Sequence, residues 1–472
     1  MCEAPGMSTP AIPAWTGPLD VSALAMDAVG QVVCAAGRVA RARGLDVHID
    51  TTSSLVEGSF AAIDHLRVEG RPVEAWGELS GFFAADDGWI RLHGNYPHHQ
   101  AAIRRALAVE DRAGAAEAIG RLPADVAVRR ILEEGGIATT VRTAGQWKAH
   151  PQARAMAEVP WRSIEAGEQR TDPPVGRVAG PAPSAPLPLD GLRVLDLTRV
   201  VAGPMATQLL ACLGADVLRI DPPRRPELRD AFLASGMGKH STSLDLATSR
   251  PVLETLLRRA DVVVLGYRPG ALARFGLAPE DLRERFGHLV IGSLSAWGEV
   301  GPWGERAGFD SIVQAATGIA EAYASGGAQE APVGRHGQSD SRAGRPRTRS
   351  ARTPGALPVQ ALDHATGNVL AAGILDLLAD GRGGLVRVHL LGAARELMGR
   401  GTGATTPGVM EAAAQAGPPS TTTEPNAPSP VTTVEQSTAH GRVRTAPAPL
   451  RLDGAPLTAP IAEYGTAEPR WR

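Results

Sequence analysis

Short apolar runs separated by amphipathic stretches dominate residues 189–391. Val194, Leu195 and Leu197 form one run, and Val217, Leu218 and Ile220 form the next. Continuous runs of this kind suit parallel strands buried on both faces. The spacing predicts strands at 193–197, 216–220, 261–265, 288–293 and 385–390. Between the first two, Gly203-Pro204 opens a helix with Met205, Leu209, Leu210 and Leu213 on its apolar face and Gly214 as its stop. Strand-helix alternation predicts a doubly wound parallel sheet of the α/β class. Ligands of such sheets sit at the carboxyl ends of the strands, here the Val200–Pro204 turn and the Asp221–Arg225 loop.

The chain before this region reads differently. A helix is expected over Val21–Arg43, stopped by Gly44. GWIRLHG (88–94) alternates like a strand, helical stretches follow near 99–119 and 123–135, and GGIATTVRT (135–143) reads as a strand. The organisation expected is an N-terminal helical segment (1–44), a small α+β domain (45–165), a Pro/Gly-rich linker (166–188) and a large α/β domain (189–400). Residues 325–356 interrupt the large domain with an aperiodic insertion carrying Arg342, Arg345, Arg347, Arg349 and Arg352. Residues 401–472 are expected to be a mostly disordered tail with short strand-like pieces near its end.

Composition narrows the class. Across 472 residues, 43% are hydrophobic and the formal net charge is −2, so there is core to bury and no basic footprint for nucleic acid or an anionic membrane. Cys2, Cys34 and Cys212 are too scattered for a disulfide framework or a zinc site. His93, His98 and His99 lack a third acidic or cysteine ligand at zinc spacing and read as a polar loop, so no metal site is expected. No signal pattern and no bilayer-spanning run is evident, and a cytoplasmic protein is the expectation.

GLRVLDLTRVVAGPMATQLLACLGADVLRID (191–221) resembles the start of the family III CoA-transferases, the CaiB/BaiF family. The resemblance continues through GKHSTSLDL (238–246), ADVVVLGYRPGALARFGL (260–277), HLVIGSLSAWGEVGPW (288–303), AGFDSIVQAATG (307–318) and ALDHATGNVLAAGILDLL (361–378). DDGWIRLHGN and EEGGIATTVRTAGQWKAHPQARAM resemble the family's smaller domain, which here precedes the large one, an order rearranged relative to the family. The resemblance implies a CoA-transferase with CoA or acyl-CoA as substrate, a carboxylic acid as acceptor, no permanently bound cofactor and a homodimeric assembly.

Asp363 is the leading catalytic candidate. Preceding an apolar helical run, it reads first as an N-cap, and a helix N-terminus would hold its carboxylate anionic. By resemblance it occupies the place of the family's nucleophilic aspartate. The same resemblance places CoA contacts at Val201, Ala202, Lys239 in the GKHS loop and Arg274 in LARFGL. Pro222 stands where the family has another arginine, with Arg224 or Arg225 as substitutes, and Val201 argues against formyl or oxalyl substrates. Two alternatives remain. A racemase needs a second base, but Phe309 stands where that branch has histidine, leaving His364 as a substitute. The other is an acyl-CoA-binding protein without catalysis.

Overall fold

The computed structural model describes residues 15–170, 186–325, 352–400 and 431–472. A long helix, α1 (Val21–Ala42), opens the described chain, capped by the Asp20 carboxylate accepting the Ala23 N–H. A small unit follows, with strands β1 (Gly81–Ala84) and β2 (Trp89–Leu92), helices α2 (Pro97–Leu107), α3 (Arg112–Gly120) and α4 (Ala124–Glu133), and strand β3 (Ala138–Thr140). Phe83, Ile90, Ile103, Ile119 and Ile131 close its own core.

The chain then enters the large sheet. Its elements are β4 (Arg162–Gln169), β5 (Arg193–Leu197), α5 (Ala202–Cys212), β6 (Asp216–Asp221), β7 (Lys239–Ser243), β8 (Val262–Leu265), β9 (Val290–Ser295), α6 (Asp310–Thr317), α7 (Ala361–Ala379) and β10 (Arg382–His389). The strand order is β7-β6-β5-β8-β9-β10-β4. All neighbours run parallel except β4, which pairs antiparallel to β10 at the edge. Alternate residues face opposite sides, as the pleat requires. Val194, Val262, Val264 and Val386 join the core beneath α7, whereas Leu195, Val263, Ile291 and Leu385 join the core on the other face. Strand order reverses between β5 and β8, and the crevice outside their carboxyl ends is the usual ligand position of an open α/β sheet.

Helix α7 is buried along nearly its whole length, and its apolar residues are spread around it rather than confined to one face, as suits a central helix. Helix α1 lies along it, with Leu24, Val29 and Val32 in the same core. The N-terminal segment is therefore part of the large-domain core rather than a separate piece. By length and hydropathy α1 would suffice to cross a membrane, yet half of its most apolar window is buried inside the protein.

Two further differences from the sequence expectation concern the edges. Strand β4 falls within the stretch assigned to the small domain and linker, but it completes the large sheet. The C-terminal residues are built into the fold. Val434–Thr438 and Gly441–Thr445 form a hairpin that pairs with Arg67–Val68, and Thr466 bridges to Thr242 in β7. The other expected disordered stretches, 326–351 of the insertion and 401–430 of the tail, lie outside the described residues.

Helices α5 and α7 touch at Gly367, where an added Cβ would stand 2.3 Å from the Ala202 carbonyl oxygen. That atom belongs to helix backbone and cannot swing away. Gly367→Ala is therefore expected to destabilise the protein by about 1–3 kcal/mol through overpacking, read as a lowered urea midpoint.

Candidate active site

The first turn of α7 carries the leading acid. Asp363 is the third residue of that helix, not its cap, and it is only 5% exposed. The cap comes from elsewhere in the chain. Asp310, first residue of α6, turns its Oδ2 to accept the N–H groups of Leu362 at 2.9 Å and Asp363 at 3.0 Å. Its Oδ1 accepts from the Gln314 amide, whose own oxygen accepts the Leu357 N–H at 2.9 Å. Asp310 and Gln314 thus fasten the chain leading into α7.

This arrangement reverses the charge expected for Asp363. Burial pushes its carboxyl well above the ordinary range, and the neighbouring Asp310 pushes it further the same way. Burial also raises Asp310, to about 6, against the opposing pull of its amide donors and of the Arg91 guanidinium. Asp310 holds the donors and Asp363 holds none of them. The proton of the pair therefore belongs on Asp363, and Asp310 carries the charge.

A second network shapes the turn after β5. Val200 has φ of 73°, a left-handed conformation that a β-branched residue rarely adopts. Its N–H donates to Glu227 Oε2 at 3.0 Å, and the Tyr96 hydroxyl donates to Glu227 Oε1 at 2.6 Å. Arg219 approaches the same carboxylate at 3.0 Å and Arg199 at 3.5 Å. Burial alone would raise the Glu227 carboxyl, but the two guanidinium groups and these hydrogen bonds outweigh it and hold it below the ordinary range. The Tyr464 hydroxyl accepts the Glu227 N–H at 2.8 Å, so the C-terminal segment joins this hub.

The expected CoA contacts divide. Val201 and Ala202 lie at the N-terminus of α5, within the crevice, and Val201 lines a cavity of about 300 Å³. Arg274 is exposed on a short 3-10 turn, its guanidinium 4.6 Å from the Phe275 ring centroid. Lys239 is not a loop residue. It begins β7, is fully buried, and donates to Asp196, Thr207 and the Pro204 carbonyl at 3.2, 2.9 and 2.8 Å. Burial lowers its ammonium to about 8 against the attraction of Asp196. Its ammonium fastens β5, α5 and β7 together. Arg224 and Arg225 are exposed.

The histidines also depart from expectation. His98 and His99 sit in the first turn of α2, and His93 and His99 are buried. The His93 ring stacks on Phe309 with centroids 3.7 Å apart, and His99 meets the same phenyl edge-on at 5.7 Å. Burial, then the neighbouring His99 and Arg91, hold His93 well below the ordinary imidazole range. His364 stacks on Phe60 at 5.1 Å, and burial lowers it to about 4. Sequence reasoning gave no structural role to Asp310, Tyr96 or Glu227, and read His93 as part of a polar loop. An acid beginning a helix just after Gly308-Phe309 was the available signal for the first.

Taken together, a doubly wound sheet, a crevice at its switch point and a buried acid pair at the start of α7 define an α/β protein with an acidic site. The chain belongs to CoA-transferase family III, whose family model matches residues 189–433. It is 35% identical over 206 residues to "Probable fatty acyl-CoA transferase Rv3272" of Mycobacterium tuberculosis, covering 40% of this chain and 46% of that protein. It is 36% identical over 146 residues to succinyl-CoA:glutarate CoA-transferase of Mus musculus, covering 28% and 34%. With formyl-CoA:oxalate CoA-transferase of Escherichia coli it shares 35% over 147 residues, covering 28% and 35%. The chain spans less than half the length of these curated relatives. A crystal structure of Rv3272 superposes over 45% of this chain and 56% of its own at 33% identity, with a TM-score of 0.37.

Replacing Asp310 by Ala would leave the Leu362 and Asp363 N–H groups and the Gln314 amide without their acceptor. A stability loss of about 1–3 kcal/mol is expected in urea unfolding. Asp310→Asn keeps one carbonyl oxygen toward α7 and is expected to recover part of it.

Proposed function

We propose that this chain is a CoA-transferase, moving CoA from an acyl-CoA to a carboxylic acid through covalent attachment at Asp363. The observation that carries the reading is a buried carboxyl on the first turn of α7, raised by burial and by a second acid, on a turn whose Gln360 and His364 line the same cavity as Val201. Family membership and the carboxylate acceptors named for the succinyl-CoA:glutarate and formyl-CoA:oxalate relatives support the same class of reaction.

In the mechanism proposed, the ionised Asp363 attacks the thioester carbonyl carbon. The C–S bond breaks, leaving a mixed anhydride and the CoA thiolate. The thiolate then attacks the aspartyl carbonyl, which gives an aspartyl-CoA thioester and releases the donor acid as its carboxylate. The acceptor carboxylate attacks this thioester in turn, and the freed thiolate takes the acyl group from the second anhydride, restoring Asp363. Each step exchanges one anion for another, and a difficult transfer is divided into easier ones.

Racemisation fits less well. It requires a proton carrier on each face of the α-carbon, and Phe309 offers none. Incubating a 2-methylacyl-CoA with the protein in deuterated water is expected to leave the α-carbon unlabelled. Enzyme-dependent deuterium there would favour a racemase.

Asp363→Asn tests the nucleophile. An amide resembles the protonated acid, so the variant is expected to fold. Transfer is expected to fall on the order of 10³-fold or more, because no neighbour replaces the attacking oxygen. Hydroxylamine added during turnover is expected to convert the activated carboxyl of the peptide containing Asp363 to a hydroxamate. A near-normal rate in the variant, or an adduct on Asp310, would overturn the assignment.

The pH dependence has a definite sign. Only ionised Asp363 attacks, so the acylation rate is expected to rise with pH through its elevated pKa. Asp310→Asn removes the repelling charge and is expected to move that rise to lower pH. Single-turnover rates against pH in both proteins give the comparison.

A further inference from the structure

The cavity beside α7 has a lining that the transfer chemistry does not use. Its walls include Ile63, Trp76, Val201 and Met205, which are apolar or aromatic. Into this lining come two imidazoles, His93 and His364, only 2% and 4% exposed. The Nδ1 of each is buried and has no hydrogen-bond partner among the described residues. Buried polar atoms nearly always find partners, since desolvation without one is unfavourable. Two imidazoles bordering one cavity, each with an unpartnered Nδ1, point to a ligand that supplies the missing bonds.

The charges around the cavity restrict that ligand. Among the described residues, the only cation in its lining is Arg229, which is exposed and 3.6 Å from Asp230. Asp230 and the exposed Glu74 are in the same lining, so at its rim two anions accompany one cation. An acyl chain ending in a second carboxylate would meet this excess of negative charge. A neutral imidazole can donate from one nitrogen and accept at the other, which matches a hydroxyl or a carbonyl oxygen. A volume of about 300 Å³ is room for a short chain.

Building on the proposed transferase reading, we infer that this cavity receives the acyl chain of the CoA thioester, and that the chain carries a hydroxyl or keto oxygen bonded by His93 and His364. The imidazoles then determine specificity and take no part in the bond exchange. The acyl group is short, uncharged and oxygenated beyond its thioester, rather than a dicarboxylic half-thioester or a plain fatty chain.

The test is equilibrium binding by calorimetry to the full chain, without an acceptor acid. The probes are CoA, butyryl-CoA, 2- and 3-hydroxybutyryl-CoA, acetoacetyl-CoA and glutaryl-CoA. At least one of the oxygenated C4 thioesters is expected to bind about tenfold or more tightly than butyryl-CoA, as bonds to otherwise unpaired buried groups allow. Glutaryl-CoA is expected to bind more weakly than butyryl-CoA. His93→Phe and His364→Phe keep an aromatic ring for stacking and remove the nitrogens. Each is expected to reduce the oxygenated-to-plain ratio to about threefold or less. Should either variant fail to fold, the ligand series on the unaltered chain decides alone. Equal binding of butyryl-CoA and every oxygenated analogue, or tightest binding of glutaryl-CoA, would overturn the inference while leaving the transferase reading intact. Absence of binding by CoA and by every thioester would instead remove the transferase reading, and this inference with it.

Discussion

The carboxylate of Asp310 holds the first turn of α7 from outside that helix, and much of the site follows from this one interaction. A helix start leaves backbone N–H groups unpaired, and the local residue Gln360 makes no side-chain cap. Asp310 accepts two of those groups and is itself held by Gln314. The positive end of α7 and the anion satisfy one another. The same charge sits beside Asp363 in a region closed to water, where repulsion is weakly screened. The carboxylate that anchors the helix therefore adds to the burial that already raises the Asp363 carboxyl.

A second constraint brings remote parts of the chain to the crevice. Glu227 accepts from Tyr96 and from the strained Val200, pairs with Arg219, and donates its N–H to Tyr464. One buried carboxylate thus joins the small unit, the turn after β5 and the C-terminal segment. Left-handed backbone at a β-branched residue persists only where surroundings over-determine it, and here a hydrogen bond to a fixed acceptor does so. Lys239 performs a comparable task beneath, through Asp196 and Thr207. The crevice rests on buried ion pairs, Arg219 with Glu227 and Lys239 with Asp196, that join separate segments of the chain.

How much of this was legible in sequence depends on whether a local rule applied. The five aliphatic strands were readable because burial on both faces demands uninterrupted apolar runs, and Val262–Leu265 is one. Strand β7, KHSTS, was not, because its burial depends on Lys239 meeting Asp196 rather than on apolar side chains. Strand β4 is a mostly exposed edge with a polar sequence, so it lacked the pattern too. Asp363 could be placed by the helical run that follows it. Its cap could not, since the capping acid lies 53 residues earlier. HGNYPHH looked like a polar loop because nothing local shows that Phe309 will cover His93.

That stack bears on which chemistry the site favours. Phe309 lies flat against a histidine held neutral by burial, so neither ring is suited to carry a proton at that position. Phe309 itself offers no group to take up the α-proton that racemisation would release. The proposed CoA exchange makes no such demand after Asp363 ionises. Carboxylate enters as thiolate leaves, or the reverse, and the number of negative charges in the closed crevice stays constant at every bond exchange. The one costly event is the first ionisation of Asp363 beside Asp310. An acid made unwilling to ionise is also made more nucleophilic once it has done so, because burial and repulsion destabilise the anion that attacks. In the proposed exchange, burial first and the anchoring Asp310 second would together set the barrier to arming Asp363 and the reactivity of the armed group.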